Sequence, residues 1–233
     1  MPIRYNISMT DELRDILVAD AALILAFSFT IAGGIGALAG NAAGFVHTLL
    51  YFLPIAALGV TLSFILHELM HKFTAQHYGA IAGFRASRNG LIVTLATGFL
   101  GFLLGIPGAT MIYASRFTAK EDGLVSLAGP LTNFAVFAVF LSALLVFAPR
   151  QGSYAYEAIT YTLFISIFLA FFNMLPIYPL DGSKVLRWSK PVYFATMGVI
   201  FVLMVVFADV SLSTVIYMML IALFFSVFYR SVI

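Results

Sequence analysis

Two histidines and a glutamate fall within five residues, His67-Glu68-Leu69-Met70-His71. Residues four apart on a helix share a face, so both imidazoles can reach one ion. Glu68, one position after the first imidazole, then stands where it can take a proton from a water that a divalent metal has acidified. With four His and four Glu in 233 residues, chance delivers this pattern about one time in a thousand. Ionisable groups in an apolar segment cost about 2.5–3.5 kcal/mol each on insertion scales, so they are functional by default. Here they follow Phe64, Ile65 and Leu66, and a bound cation gives all three a partner.

Two imidazoles leave a zinc-type site one protein ligand short, with the remaining position kept for water. His77 has the spacing of HExxHxxGxxH, but Thr74 stands where that pattern has its helix-breaking glycine. In an unbroken helix His77 lies about 9 Å beyond His71, and His47 about 30 Å away in the other direction. Asp181 is the better candidate. It closes the stretch Asn173-Met174-Leu175-Pro176-Ile177-Tyr178-Pro179-Leu180-Asp181-Gly182, where two prolines bar a regular helix and Gly182 permits a turn. Irregular backbone at membrane depth is tolerated where it lines a site or cavity. In isolation the same residues read as a helix-ending Asp-Gly turn; the metal role gains weight from an HExxH that lacks its third ligand. The donor set suits one Zn2+ per chain, although His and carboxylate ligands accept other divalent ions. With no cysteine in the chain, thiolate sites and disulfide frameworks are excluded.

The elements that must hold these residues are membrane spans. Only 9% of residues are charged, against about 25% in soluble domains, and mean hydropathy is +1.05. The expected fold is an all-α polytopic membrane protein with about six transmembrane helices, near 16–38, 48–72, 124–147, 157–178, 190–208 and 211–229. A small β or re-entrant element follows the second helix: 80–115 contains the short apolar run 91–106, flanked by turn formers and β-branched residues. A seventh span there is the alternative. Six spans with both termini cytoplasmic place Arg4, Arg14, Lys72, Lys120, Lys184 and Arg230 on the inner side and leave only Arg150 opposite, the asymmetry that the positive-inside rule asks of a cell-membrane protein. The metal motif and Asp181 then both fall near the cytoplasmic face. Acidic residues precede the first apolar run and no clear cleavage site follows it, so that segment is expected to remain as an anchor. Without repeats or polar linkers, 1–233 reads as a single integral-membrane domain with a motif core over about 48–182.

Taken together, the motifs resemble those of the site-2 protease family of intramembrane zinc metalloproteases. HELMHKFTAQHYG carries Ala75 and Gly79 at positions similar to the family's extension of HExxH. Leu127-Ala128-Gly129-Pro130-Leu131-Thr132-Asn133 resembles its A-G-P-x-x-N motif, and 173–182 its N-x-x-P-x-x-P-L-D-G segment. The resemblance implies zinc held by His67, His71 and Asp181, with Glu68 as general base. It also implies that Asn133 steadies the oxyanion and that Asn173 helps position the peptide. Substrates would be transmembrane segments of membrane proteins, cut in regulated intramembrane proteolysis. The expected partners are those peptides and the lipid bilayer, with no nucleic acid. Residues 1–233 show no PDZ or CBS module of the kind larger members carry, and are expected to resemble the short prokaryotic members.

A substrate helix has its carbonyls locked in hydrogen bonds and must unwind before attack. A strand edge within 80–115 could hold it extended by β-addition; otherwise that element only plugs the site against lipid. The rival reading is a non-proteolytic zinc-binding membrane protein, either an inactive chaperone-like relative or a transporter. An intact Glu68 speaks against the first, and the second needs further polar residues along a path. Di-iron enzymes need more than four His, and Glu157 falls on the wrong side for a gluzincin-type ligand.

Overall fold

The computed structural model describes residues 8–114 and 116–207, so the expected span 211–229 lies outside the described residues. Among the described residues, four helices are long and apolar enough to cross a membrane, or five if one bent pair is a single span. Helix α1 (Met9–Ile31) and α2 (Gly34–Gly40) are that pair, bent by 52°. The chain turns at Gly33, whose φ of 87° is left-handed and favours glycine. The expected 16–38 span is therefore a straight helix that starts earlier and then a kinked end.

The second span is longer than 48–72. It runs without interruption over Ala42–His77, as α3 (Ala42–Val60), one π-helical turn (Thr61–Ile65) and α4 (Leu66–His77). Asn41 opens it by accepting the Gly44 N–H at 3.0 Å. At ~1.5 Å per residue its 36 residues exceed the ~30 Å hydrocarbon core, so its ends project beyond it. A π turn places an extra residue in one helical turn and is frequent at functional sites. Here it is pinned from two sides: Thr61 donates to Asp20 of α1 at 2.8 Å, and the Ser63 and Ser166 hydroxyls meet at 2.7 Å.

Residues 80–115 contain both strands and a helix. Strands β1 (Ile81–Ala86) and β2 (Gly108–Tyr113) pair antiparallel, from Ile81↔Tyr113 to Ala86↔Gly108. Between them α5 (Arg88–Leu100) packs on α1. Its 13 residues span ~20 Å, too short to cross the bilayer, which disposes of the seven-span arrangement.

Helix α6 (Ala119–Phe147) starts at a capping box between Thr118 and Glu121. Helix α7 (Tyr154–Asn173) ends five residues short of the expected 178, ahead of Pro176 and Pro179. Helices α8 (Asp181–Trp188) and α9 (Lys190–Phe207) follow. The long helices alternate in direction. The Glu12–Lys72 and Asp122–Arg187 ion pairs gather the start of α1, the end of α4, the start of α6 and α8 at one end. The Tyr51–Tyr154 ring contact joins the middle of α3 to the start of α7, towards the other end. Helix α7 is the central post, with one core cluster around Ile167, Phe171, Val185 and Ile200 and a second around Leu23, Val60, Phe84 and Ile165.

Candidate active site

Both motif histidines lie on α4, one turn past the π segment, and point into the bundle. His67 Nε2 and His71 Nε2 are 2.9 Å apart. Asp181 Oδ2, from the first residue of α8, stands 3.0 Å from the latter and 3.3 Å from the former. All three residues are buried. Donors ~2.0–2.1 Å from a tetrahedral ion stand roughly 3.3–3.4 Å from one another, so the observed triangle is close to that of a metal site.

Hydrogen bonding at the outer ring nitrogens tests whether a cation belongs there. His71 Nδ1 lies 2.7 Å from the Val125 carbonyl oxygen, which can only accept, so this nitrogen carries a proton. His67 Nδ1 faces Asn133 Oδ1 at 3.3 Å, an acceptor again. In the neutral imidazoles both Nε2 atoms then present lone pairs. Two lone pairs and a carboxylate oxygen then converge on one point, an arrangement that suits a bound cation. Outer-nitrogen contacts to a carbonyl or amide oxygen are the usual support of metal-bound imidazoles. The site fits a zinc ion.

The chain around the triad explains its shape. Gly129 of α6 faces the imidazoles so closely that a Cβ there would lie 2.5 Å from His71 Nε2 and 2.6 Å from His67 Nε2. Pro130 follows and leaves the Ser126 carbonyl without its helical donor. Asp181 is delivered by the proline-rich turn after α7, in which Leu180 N–H donates to Ile177 O at 2.8 Å. The Arg187–Asp122 ion pair then fastens α8 to α6.

Glu68 lies beside the triad with its carboxylate turned towards β2, where the Thr110 hydroxyl donates to Oε2 at 2.7 Å. A cavity of about 100 Å³ opens beside them, lined by Gly108 and Thr110 of β2 together with Asn173, Pro179, Asp181 and Lys184. A helix ~10–12 Å across cannot enter such a space.

The remaining candidates fall in different places. Asn133 is fully buried; its amide donates to the Ser166 carbonyl at 3.2 Å while its oxygen faces His67. Asn173 lines the cavity and donates to Leu169 O at 3.0 Å. His77 is exposed at the end of α4 with its ring against Tyr78, and His47 is exposed near the start of α3. Neither joins the triad. Sequence reasoning missed Thr110, the Val125 carbonyl and Ser126, a buried hydroxyl at the cavity with no partner among the described residues. These are contacts between distant segments, and no local spacing announces them.

The chain is 44% identical over 152 residues to "Putative zinc metalloprotease MJ0611" of Methanocaldococcus jannaschii, a match covering 62% of this chain and 74% of that protein. The chain belongs to the same family as that protein. It is also 34% identical over 167 residues to "Putative zinc metalloprotease Rip2" of Mycobacterium tuberculosis, across 65% of this chain and 64% of Rip2. Similarity to "Putative zinc metalloprotease YwhC" of Bacillus subtilis is 28% over 165 residues, 63% of this chain and 74% of that protein. No family model matches the chain, and no solved structure matches it significantly. All three names speak of zinc, and the His67–His71–Asp181 group is the part of this family member whose chemistry suits it.

Proposed function

We propose that the chain is an intramembrane zinc metalloprotease of the site-2 protease type, cutting transmembrane segments of membrane-protein substrates. The observation that carries this reading is the convergence of three lone-pair donors beside Glu68 within a bundle of membrane-length helices. His67, His71 and Asp181 would hold one Zn2+. Zinc, when bound, supplies Lewis acidity that polarises a peptide carbonyl and acidifies water. Glu68 takes the water's proton on its carboxylate and passes it to the leaving amide nitrogen.

Substrate handling follows from the narrow cavity and the sheet. Phe84 N–H donates to Glu12 at 3.2 Å and Ala86 N–H to Asp15 at 3.4 Å, so the outer edge of β1 is covered by α1 carboxylates. The outer edge of β2 faces the cavity instead. In this reading an unwound substrate segment adds to β2 as a third strand, with Asn173 of the cavity lining holding it. The resemblance implied that Asn133 donates to the oxyanion. With its amide engaged by Ser166 and its oxygen on His67, it is placed to orient the imidazole, and we assign it that role. The basic residues Arg14, Lys72, Lys120 and Lys184 lie at the site's end of the bundle, with Arg150 at the other. That asymmetry favours a cytoplasmic site and a cytoplasmic start of α1.

The test is cleavage of a single-span reporter by the purified full chain, with zinc content measured on the same sample. Activity should disappear with a chelator and return with zinc, and Glu68→Gln should keep the metal and lose cleavage. A wild-type protein that binds zinc and cleaves no membrane substrate favours the non-proteolytic reading. A Glu68→Gln protein that still cleaves removes Glu68 as the base.

A further inference from the structure

The base is held from outside its own helix. Thr110 lies on β2, 42 residues from Glu68, and its hydroxyl is 2.7 Å from Oε2 and 3.2 Å from the Glu68 carbonyl oxygen. A hydroxyl this close to a carboxylate makes a strong, charge-assisted bond. The terminal torsion of a glutamate is broad and roughly two-fold, so nothing in the side chain itself fixes the carboxylate plane. One oxygen tied to Thr110 fixes it and leaves the other free for the proton.

The register gives the same residue a second connection. Ser87 N–H donates to Pro107 O at 2.8 Å, continuing the strand pairing by one step. Antiparallel pairs alternate between hydrogen-bonded and non-hydrogen-bonded. Residues 85, 83 and 81 of β1 therefore bond across to β2, while 84 and 86 point outward, as their bonds to Glu12 and Asp15 require. Their partners Thr110 and Gly108 must also direct N–H and C=O outward, at the edge of β2. Thr110 thus offers main chain to an added strand and side chain to the base.

We propose that Thr110 is a positioning residue that aligns the Glu68 carboxylate and ties that alignment to occupancy of the β2 edge. The inference rests on the reading of Glu68 as general base. Thr110→Val keeps the side-chain shape and β-branching and removes only the hydroxyl; Thr110→Ser keeps the hydroxyl. With the zinc-loaded full chain and a single-span reporter, kcat of Thr110→Val should fall about 10- to 100-fold, the range for groups that support a metal site. KM and zinc content should stay unchanged, and Thr110→Ser should recover most of the rate. A residue that only braced β2 against α4 would lower melting temperature or zinc retention without this split.

Wild-type kcat in Thr110→Val overturns the proposal, as does a loss confined to KM or a Thr110→Ser variant no better than valine. If the valine variant does not fold, Thr110→Ala against Thr110→Ser, compared per zinc-loaded molecule, decides by the same criterion. Failure of the underlying reading looks different: Glu68→Gln would then cleave, or wild type would not.

Discussion

The most exacting perturbation of the site adds a single methyl group opposite the imidazoles. In Gly129→Ala the new Cβ would stand 2.5 Å from His71 Nε2 and 2.6 Å from both Cε1 and Nε2 of His67. Ordinary contact begins near 3.4 Å, so the rings or the α6 backbone must give way by about 0.9 Å. Metal–ligand distances tolerate about 0.2 Å, several-fold less than that shift. Both histidines are pinned on their outer nitrogens, by the Val125 carbonyl and by Asn133, so retreat also breaks those contacts. Zinc affinity should drop by about 100-fold or more, at or beyond the upper end for damage to supporting groups. Alanine is a better helix former than glycine by about 0.8–1 kcal/mol, so the apo helix is not weakened by propensity. Gly198→Ala is the control: it lies in α9 with nothing among the described residues within 4 Å of the added carbon, and it should keep zinc and activity. Zinc titration against a competing chelator in detergent measures the difference. Wild-type affinity in Gly129→Ala would refute the placement of the imidazoles against α6, and with it the proposed metal geometry.

Other outcomes follow from the same contacts. Asp181→Ala should weaken zinc retention and leave the helices folded; unchanged affinity by the same titration would assign the third ligand elsewhere. Glu12 bonds Lys72 Nζ at 2.7–2.8 Å and also caps the Phe84 N–H, largely shielded from solvent. Glu12→Ala removes that partner from both donors and should cost about 1–3 kcal/mol, the range for leaving a buried donor unsatisfied, seen as a lower melting temperature. Pairing it with Lys72→Ala should cost less than the two single losses combined, and strict additivity in that double-mutant cycle would deny the interaction.

How far the sequence could be read depended on whether a feature is local. His67, Glu68 and His71 share one helix, so periodicity alone puts both imidazoles on one face. Asp181 could be picked out only in combination: prolines mark a break in the backbone, and the HExxH motif lacks a third ligand. The spans themselves stood out by apolar length, but their ends did not. Ala42–His77 overruns the expected 48–72 because a capping Asn41 and the helical HELMHKFTAQH carry it past the hydrocarbon. The π turn at Thr61–Ile65 carries no signature of its own; Asp20 and Ser166, each far away in sequence, meet its polar side chains. Asn133 shows the limit most clearly, since its motif announced a polar role and only packing against Ser166 and His67 shows where its amide goes. Thr110 belongs to the same class. Nothing distinguishes it among the β-branched residues of 80–115 until strand register sets its main chain at the cavity edge and its hydroxyl on the base. Metal donors can be found by spacing because an ion demands a fixed geometry from few residues. The groups that aim those donors are supplied by whichever elements pack alongside, and they become visible only once the helices are assembled.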